Sequence, residues 1–210
     1  MNEELTLFHY WRSSSSWRVR WALRLKRVDV KMVAVSLLNG ESESPEHLKR
    51  NPQGYVPVLQ VGHKYLQESV AIIEWLEELI PSPSLYPGDS YQRAHIRALV
   101  EAINSGTQPL QNVSVVEKYS KDEAAKKEWM QHFIRKGLKS FEIMARDSAG
   151  KFSVGDQVTA ADLFLIPQLY NAQRHEVPLS EFPLLVKINE NAFKTKEVQE
   201  SAPDKYKPEN

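Results

Sequence analysis

Along the first 80 residues the spacing of apolar side chains switches repeatedly between a period of two and a period near 3.6. LTLFHY (Leu5 to Tyr10) is short and apolar enough for a strand, Trp17 to Arg27 sets Val19, Ala22 and Leu23 on one helical face, and DVKMVAVSL (Asp29 to Leu37) returns to period two. These three predict a βαβ unit. The polar segment SPEHLKRNP suits a short helix, VPVLQV and KYLQ flank Gly62 and His63 as a hairpin, and Ser69 to Ile80 carries Ile72, Leu76, Leu79 and Ile80 along one helical stripe. The predicted order is βαβαββα, an α/β first domain over residues 1–80.

PSPSLYPGDS (Pro81 to Ser90) holds three prolines and a glycine, cannot continue a helix, and reads as a linker over 81–90. Beyond it no segment patterns as a strand. Helical periodicity covers Ala94 to Val116, Asp122 to Ala145, Ala160 to Gln173 and a shorter piece near Leu184 to Phe193, so residues 91–210 are predicted to form an all-α domain.

Composition narrows the chemistry. Lys plus Arg and Asp plus Glu stand at 27 each, which gives no overall field for nucleic acid or for an anionic membrane surface. The chain has no cysteine, so a thiol, if one is used, must arrive from outside. No signal-like run opens the sequence and no stretch reaches the roughly 18 apolar residues of a membrane span, which leads to the expectation of a soluble cytoplasmic protein. The six histidines occur singly, and glycine-rich nucleotide loops and EF-hand spacing are missing, so no metal site is expected.

Four places carry candidate chemistry. RSSSSWRVRWALRLK (Arg12 to Lys26) sets four serines ahead of a helix. One serine suffices as an N-cap; the others are open to a second use, because a helix start favours an anion and hydroxyl donors there lower the pKa of a bound thiol. Pro57 in YVPVL cannot donate in a sheet and belongs at an edge, a bulge or a cis turn. Glu68 and Ser69 open an apolar helix, either as an ordinary start or as a site for a ligand's ammonium and carboxylate. Thr159-x-x-Asp162 reads as a capping box and nothing more.

Taken together these motifs resemble the zeta-class glutathione transferases. RSSSSWRVRWAL is similar to that family's Ser-Ser-Cys-Ser-x-Arg-Val-Arg-x-Ala-Leu signature, and QPLQNVSV (Gln108 to Val115) and VGDQVTAADLFLIPQLYNAQR (Val154 to Arg174) resemble its second-domain signatures. The resemblance spans nearly the whole chain. It implies the glutathione transferase fold, with a thioredoxin-like first domain and a helical second one, and glutathione as cofactor. By motif, Ser13 and Ser14 are expected to steady the thiolate, with Ser15, Trp17 and Arg18 lining the loop. The backbone of Val56 before a cis Pro57 is expected to pair with the cysteinyl moiety, and Glu68 and Ser69 to hold the γ-glutamyl end. Gln108, Asn112 and Ser114 are expected near the ligand. Arg174, at the end of NAQR, is expected to pair with a carboxylate of a small diacid substrate; a solvated surface arginine is the plain alternative. The implied reaction is the glutathione-dependent cis–trans isomerisation of maleylacetoacetate to fumarylacetoacetate in tyrosine breakdown, and the implied assembly is a homodimer. Conjugation or dehalogenation of small electrophiles is the runner-up, and a non-catalytic binding module on the same fold is the third possibility. The sequence departs from the family at Ser15, where cysteine is usual.

Overall fold

A computed structural model describes residues 4–208, and these divide into two compact units. In the first, strands β1 (Leu5–His9), β2 (Lys31–Ala34), β3 (Val58–Val61) and β4 (Lys64–Gln67) form one sheet in the order β2-β1-β3-β4. β1 runs parallel to β2 and antiparallel to β3, with Leu7 opposite Met32 on one side and Leu59 on the other. Helices α1 (Ser14–Leu25), α2 (Pro45–Arg50) and α3 (Ser69–Leu79) complete the expected βαβαββα order. Trp17, Val19, Trp21 and Leu23 of α1 and Ile72, Ile73 and Leu76 of α3 are buried. Leu79, predicted to lie on the buried stripe of α3, is exposed, and Ile73 takes its place in the core. β3 starts at Val58, two residues later than the pattern suggests, because Pro57 has no N–H to offer the ladder.

The second unit runs from Leu85 to Thr195 and holds α4 (Ser90–Asn104), α5 (Val113–Tyr119), α6 (Glu123–Ala145), α7 (Ala160–Arg174) and α8 (Pro183–Ala192). The predicted helix Ala94 to Val116 is in fact two, separated by Gly106, Thr107 and a 3₁₀ turn at Gln108–Gln111. Pro109 supplies one reason for the break, since it removes a donor. Gly137 of α6 supplies another: a Cβ there would sit 1.9 Å from Thr107 Oγ1, so the break lets Thr107 press against α6. α7 is buried around most of its circumference, and its Thr159–Asp162 capping box forms as read. Among the described residues no helix is long and apolar enough to cross a membrane.

Two boundaries differ from the sequence reading. Leu85 and Tyr86, inside the expected linker, are buried, and Leu85 O accepts from Ala160 N at 2.8 Å within the second unit. The C-terminal segment beginning with α9 (Lys196–Ser201) belongs to the first unit rather than to the helical one, because Val198 and Ser201 are buried there and α9 packs on α1. At the other end of α1, the Lys26 side chain is fully buried. Its ammonium donates to Glu77 Oε2, Ile80 O and Pro83 O, each at 2.6 Å, so one cation ties the ends of α1 and α3 to the chain that leaves them. Lys26→Met is expected to lower stability by about 3–5 kcal/mol, since it takes the counter-charge from Glu77 and the donor from two carbonyls. Pairing it with Glu77→Leu should recover part of that loss in a urea titration; a single variant as stable as the parent contradicts this role.

Candidate functional site

The junction of β1 and α1 decides how the four serines are used. Ser13 is the N-cap: its Oγ accepts from Ser16 N at 3.2 Å and its own N–H donates to Tyr10 O at 3.1 Å. Ser16 is buried, and its Oγ accepts from Tyr10 N at 3.3 Å. The capping reading is thus right for the first serine, and the fourth also serves the loop. Ser14 and Ser15 fill the first turn, half-buried, at positions whose amides the helix itself does not satisfy. The Ser13 hydroxyl, an acceptor in the cap, keeps its own proton to donate. Trp17 and Arg18, expected to line the loop, both point inward. Trp17 is 1% exposed and donates through Nε1 to Ser201 Oγ at 3.1 Å. Arg18 is 0% exposed and donates through Nη1 to Ser69 Oγ at 3.2 Å, tying the start of α1 to the start of α3.

The Val56–Pro57 bond is cis, and the turn in front of it is held from inside. Tyr55 O accepts from Asn51 Nδ2 and from His47 Nε2, each at 3.0 Å, and both donor side chains are buried. Gly54, at φ 70°, supplies the left-handed residue that this turn needs, and its N–H donates to Asn51 O at 2.9 Å. Val56 itself packs with Phe8, Tyr10, Val35 and Val58, so the turn and the serine loop share one apolar cluster.

Glu68 stands between β4 and α3 with φ 67° and ψ 121°, a conformation that a non-glycine residue holds only when its surroundings impose it. Its carboxylate is exposed and accepts from Gln53 Nε2 at 3.3 Å. Ser69 follows at the first position of α3, buried against Arg18. The first unit therefore brings together all its predicted site segments, through the Arg18–Ser69 and Gln53–Glu68 bonds and the cluster around Val56. Two helix starts open at one end of the sheet with donors and positive potential, the buried Arg18 lies behind them, and Glu68 adds one carboxylate. That donor set fits a small zwitterion carrying an anionic group, an ammonium and a peptide backbone, which are the groups that glutathione presents.

In the second unit Gln108 and Asn112 are half-buried at the 3₁₀ turn and the cap of α5, and Ser114 is exposed on α5. Arg174 is exposed at the last position of α7 and donates to Asn171 Oδ1 at 3.1 Å. Asn171 in turn donates to Gln111 Oε1, which also accepts from Gln168 Nε2 at 3.2 Å. Gln111 was passed over in the sequence, although the spacing Gln168-x-x-Asn171-x-x-Arg174 marks one polar face of an otherwise buried helix. Gln53, Asn51 and His47 were also missed. Gln53 and Asn51 carry no signature beyond their closeness to Val-Pro, and His47 is one of six isolated histidines.

A βαβαββα unit with a cis Val-Pro and serines at its first helix start, followed by a helical unit, is the arrangement of a glutathione S-transferase. Family models agree: the glutathione S-transferase N-terminal domain matches residues 7–84 and the C-terminal domain residues 109–200. The chain is 44% identical to the maleylacetoacetate isomerase of Rhizobium meliloti, covering 99% of this chain and all of that one. It is 42% identical to the zeta-class glutathione S-transferase of Euphorbia esula, over 96% and 91% of the two chains. The maleylacetoacetate isomerase of Anaeromyxobacter dehalogenans, solved with glutathione bound in the active site, superposes with a TM-score of 0.91 at 44% identity, over 99% of this chain and 98% of that one. The same isomerase has been solved with dicarboxyethyl glutathione and citrate in its active site. The chain belongs to the zeta-class glutathione S-transferases, the family of the maleylacetoacetate isomerases.

Proposed function

We propose that this protein is a glutathione-dependent enzyme that isomerises maleylacetoacetate to fumarylacetoacetate, a step of tyrosine and phenylalanine breakdown, and that it works as a cytoplasmic homodimer. The observation that carries the reading is the Arg18–Ser69 bond joining two helix starts, one of them rich in serine, in a chain with no thiol of its own. Glutathione, when bound, supplies the thiolate that adds to the conjugated double bond, frees it to rotate and leaves again.

The residues of the first unit then have distinct tasks. Ser14 and the remaining proton of Ser13 donate to the sulfur, with the α1 helix start favouring its negative charge. Ser15 adds a third hydroxyl at the same turn. The Val56 backbone pairs with the cysteinyl moiety, and the clamp of His47 and Asn51 on Tyr55 O fixes its height. Glu68 takes the ammonium and Ser69 the carboxylate of the γ-glutamyl end. Trp17 and Arg18 act from inside by holding α1 in place. On the second unit the family motif gives Gln108, Asn112 and Ser114 as ligand-side residues, and Arg174 offers its guanidinium fork to a substrate carboxylate. The citrate and dicarboxyethyl glutathione held by the Anaeromyxobacter isomerase are both polycarboxylates, which supports a diacid as substrate.

Isomerisation should require added glutathione, and Ser14→Ala should lower kcat/KM about tenfold to a hundredfold while moving the acid limb of its pH profile upward, because one donor to a charged sulfur is lost. Ser13→Ala should in addition cost about 1 kcal/mol of stability through the lost cap. Full activity without glutathione, or an unchanged pH profile in both variants, overturns the assignment. Arg174→Ala should raise KM for the diacid by about tenfold and leave KM for glutathione alone; equal KM values for the diacid leave Arg174 as a surface residue. For the homodimer the decisive reading is a sedimentation mass, which must be about twice the 24.2 kDa of one chain.

A further inference from the structure

Arg20 is a fully buried cation, and among the described residues no carboxylate is paired with it. Its guanidinium is spread over main-chain carbonyls instead. Nε donates to Ser201 O at 3.0 Å, Nη1 to Tyr10 O at 3.3 Å and Nη2 to Trp11 O at 3.0 Å, while Nη1 also lies 3.3 Å from His9 Nδ1. The ring of Tyr206 covers it with the centroid 4.6 Å away, and His9 meets the same ring edge-on at 5.3 Å. Three of the five groups around the guanidinium thus come from the His9–Trp11 segment that leads into the serines, and two from the C-terminal segment.

We propose that Arg20 is a positioning residue of the serine loop, fastening the His9–Trp11 segment to the C-terminal segment Lys196–Tyr206, so that this segment holds one wall of the thiol site in place. The inference rests on the reading of Ser13 and Ser14 as the sulfur's donors. Tyr10 is the joint. Its carbonyl accepts both from Arg20 and from the N–H of Ser13, and its N–H donates to Ser16 Oγ, so a shift of Tyr10 carries the helix cap with it. Trp17 reinforces the strap by donating to Ser201 Oγ. A buried cation with no counter-ion is costly to keep, and a neutral apolar residue could fill the same volume. What only a planar five-donor fork does is reach carbonyls on both segments at once. Burial lowers the Arg20 pKa to about 10, so the fork keeps its charge at neutral pH, and burial together with the Arg20 charge lowers His9 to about 4, so the ring is neutral there and its Nδ1 accepts from Arg20 in the Nε2–H tautomer.

The test compares Tyr206→Ala, Tyr206→Phe, Arg20→Lys and, as reference, Ser14→Ala, by glutathione KM, the pH profile of kcat/KM, and hydrogen exchange at the amides of Ser13 to Trp17. Tyr206→Ala should raise glutathione KM about three- to tenfold, move the acid limb upward and quicken exchange at these amides, with Tyr206→Phe close to the parent because the ring over the guanidinium is kept. Arg20→Lys keeps the charge and loses the fork, and should behave like Tyr206→Ala. If it fails to fold, the half-buried Tyr206 pair decides the matter alone. A lower melting temperature with KM, pH profile and exchange all unchanged in Tyr206→Ala makes the strap merely structural and overturns the proposal. If Ser14→Ala has no effect on activity, the reading of the serines fails by itself, and the exchange rates still report whether the strap holds the loop.

Discussion

The amides in the first turn of an α-helix have no acceptor inside the helix, and the first unit is organised around two such turns. α1 leaves β1 after a four-residue loop and α3 leaves β4 after Glu68, so both starts open at one end of the sheet. Two of the four serines are spent on building the first start: Ser13 closes the cap and Ser16 anchors Tyr10. That leaves Ser14 and Ser15 between two fixed points, on a turn that cannot drift. Arg18 then locks the second start to the first through Ser69. On the proposed reading the site's affinity for an anion follows from helix geometry, and its chemical selectivity from which hydroxyls occupy the turn.

Loops without regular pairing are fixed here by one recurring device. Where a loop presents carbonyls, a buried donor gathers them: Lys26 collects Ile80 O and Pro83 O, Arg20 collects Tyr10 O, Trp11 O and Ser201 O, and Asn51 with His47 collects Tyr55 O. Where a loop presents amides, a buried acceptor does the reverse. Asp162 accepts from Ser153 N and Thr159 N, each at 2.8 Å, and from Thr159 Oγ1 at 3.2 Å. Burial pushes its carboxyl above the ordinary range while these donors pull the other way, which is the electrostatic cost of using a charge as a structural hub. Lys26 and Arg20 join segments far apart in sequence and leave no local pattern, whereas the Thr159–Asp162 part of the Asp162 hub is local and does.

That difference separates what could be read from the sequence and what could not. Periodicity located β1, α1, the hairpin, α3, α6 and α7, because their apolar faces repeat at short range. It ran α4 and α5 together, since Gly106 and Pro109 interrupt the pattern without removing the apolar residues on either side. It gave no hint of α9, a six-residue helix whose place is set by Trp17 and Arg20 some 180 positions away. In the site, the serines, Val-Pro and Glu-Ser are contiguous motifs and were legible, though only the resemblance to a family gave them roles. The inward direction of Trp17 and Arg18 was not legible, because in RSSSSWRVRWAL polar and apolar residues alternate on a helix buried on nearly every side. Gln111 was hidden by better-known neighbours in its own motif.

The departure at Ser15 bears on what kind of catalyst such a site can be. A cysteine in the first turn of α1 would have a lowered pKa and would be a nucleophile in its own right, open to alkylation and oxidation. Serine at the same place keeps a hydrogen-bond donor and gives up the nucleophile. With no thiol anywhere in 210 residues, the site consists of hydroxyls, amides and helix dipoles, all suited to stabilising a negative charge and none able to form it. Binding and chemistry are then inseparable on the reading proposed above: the groups that recognise glutathione are the same ones that activate its sulfur. Anything that displaces the first turn of α1 by a fraction of an ångström weakens both together, and this is why the four-residue loop between β1 and α1 is held by hydrogen bonds with Ser16 and Arg20 of α1, with Arg20 itself tied to Ser201.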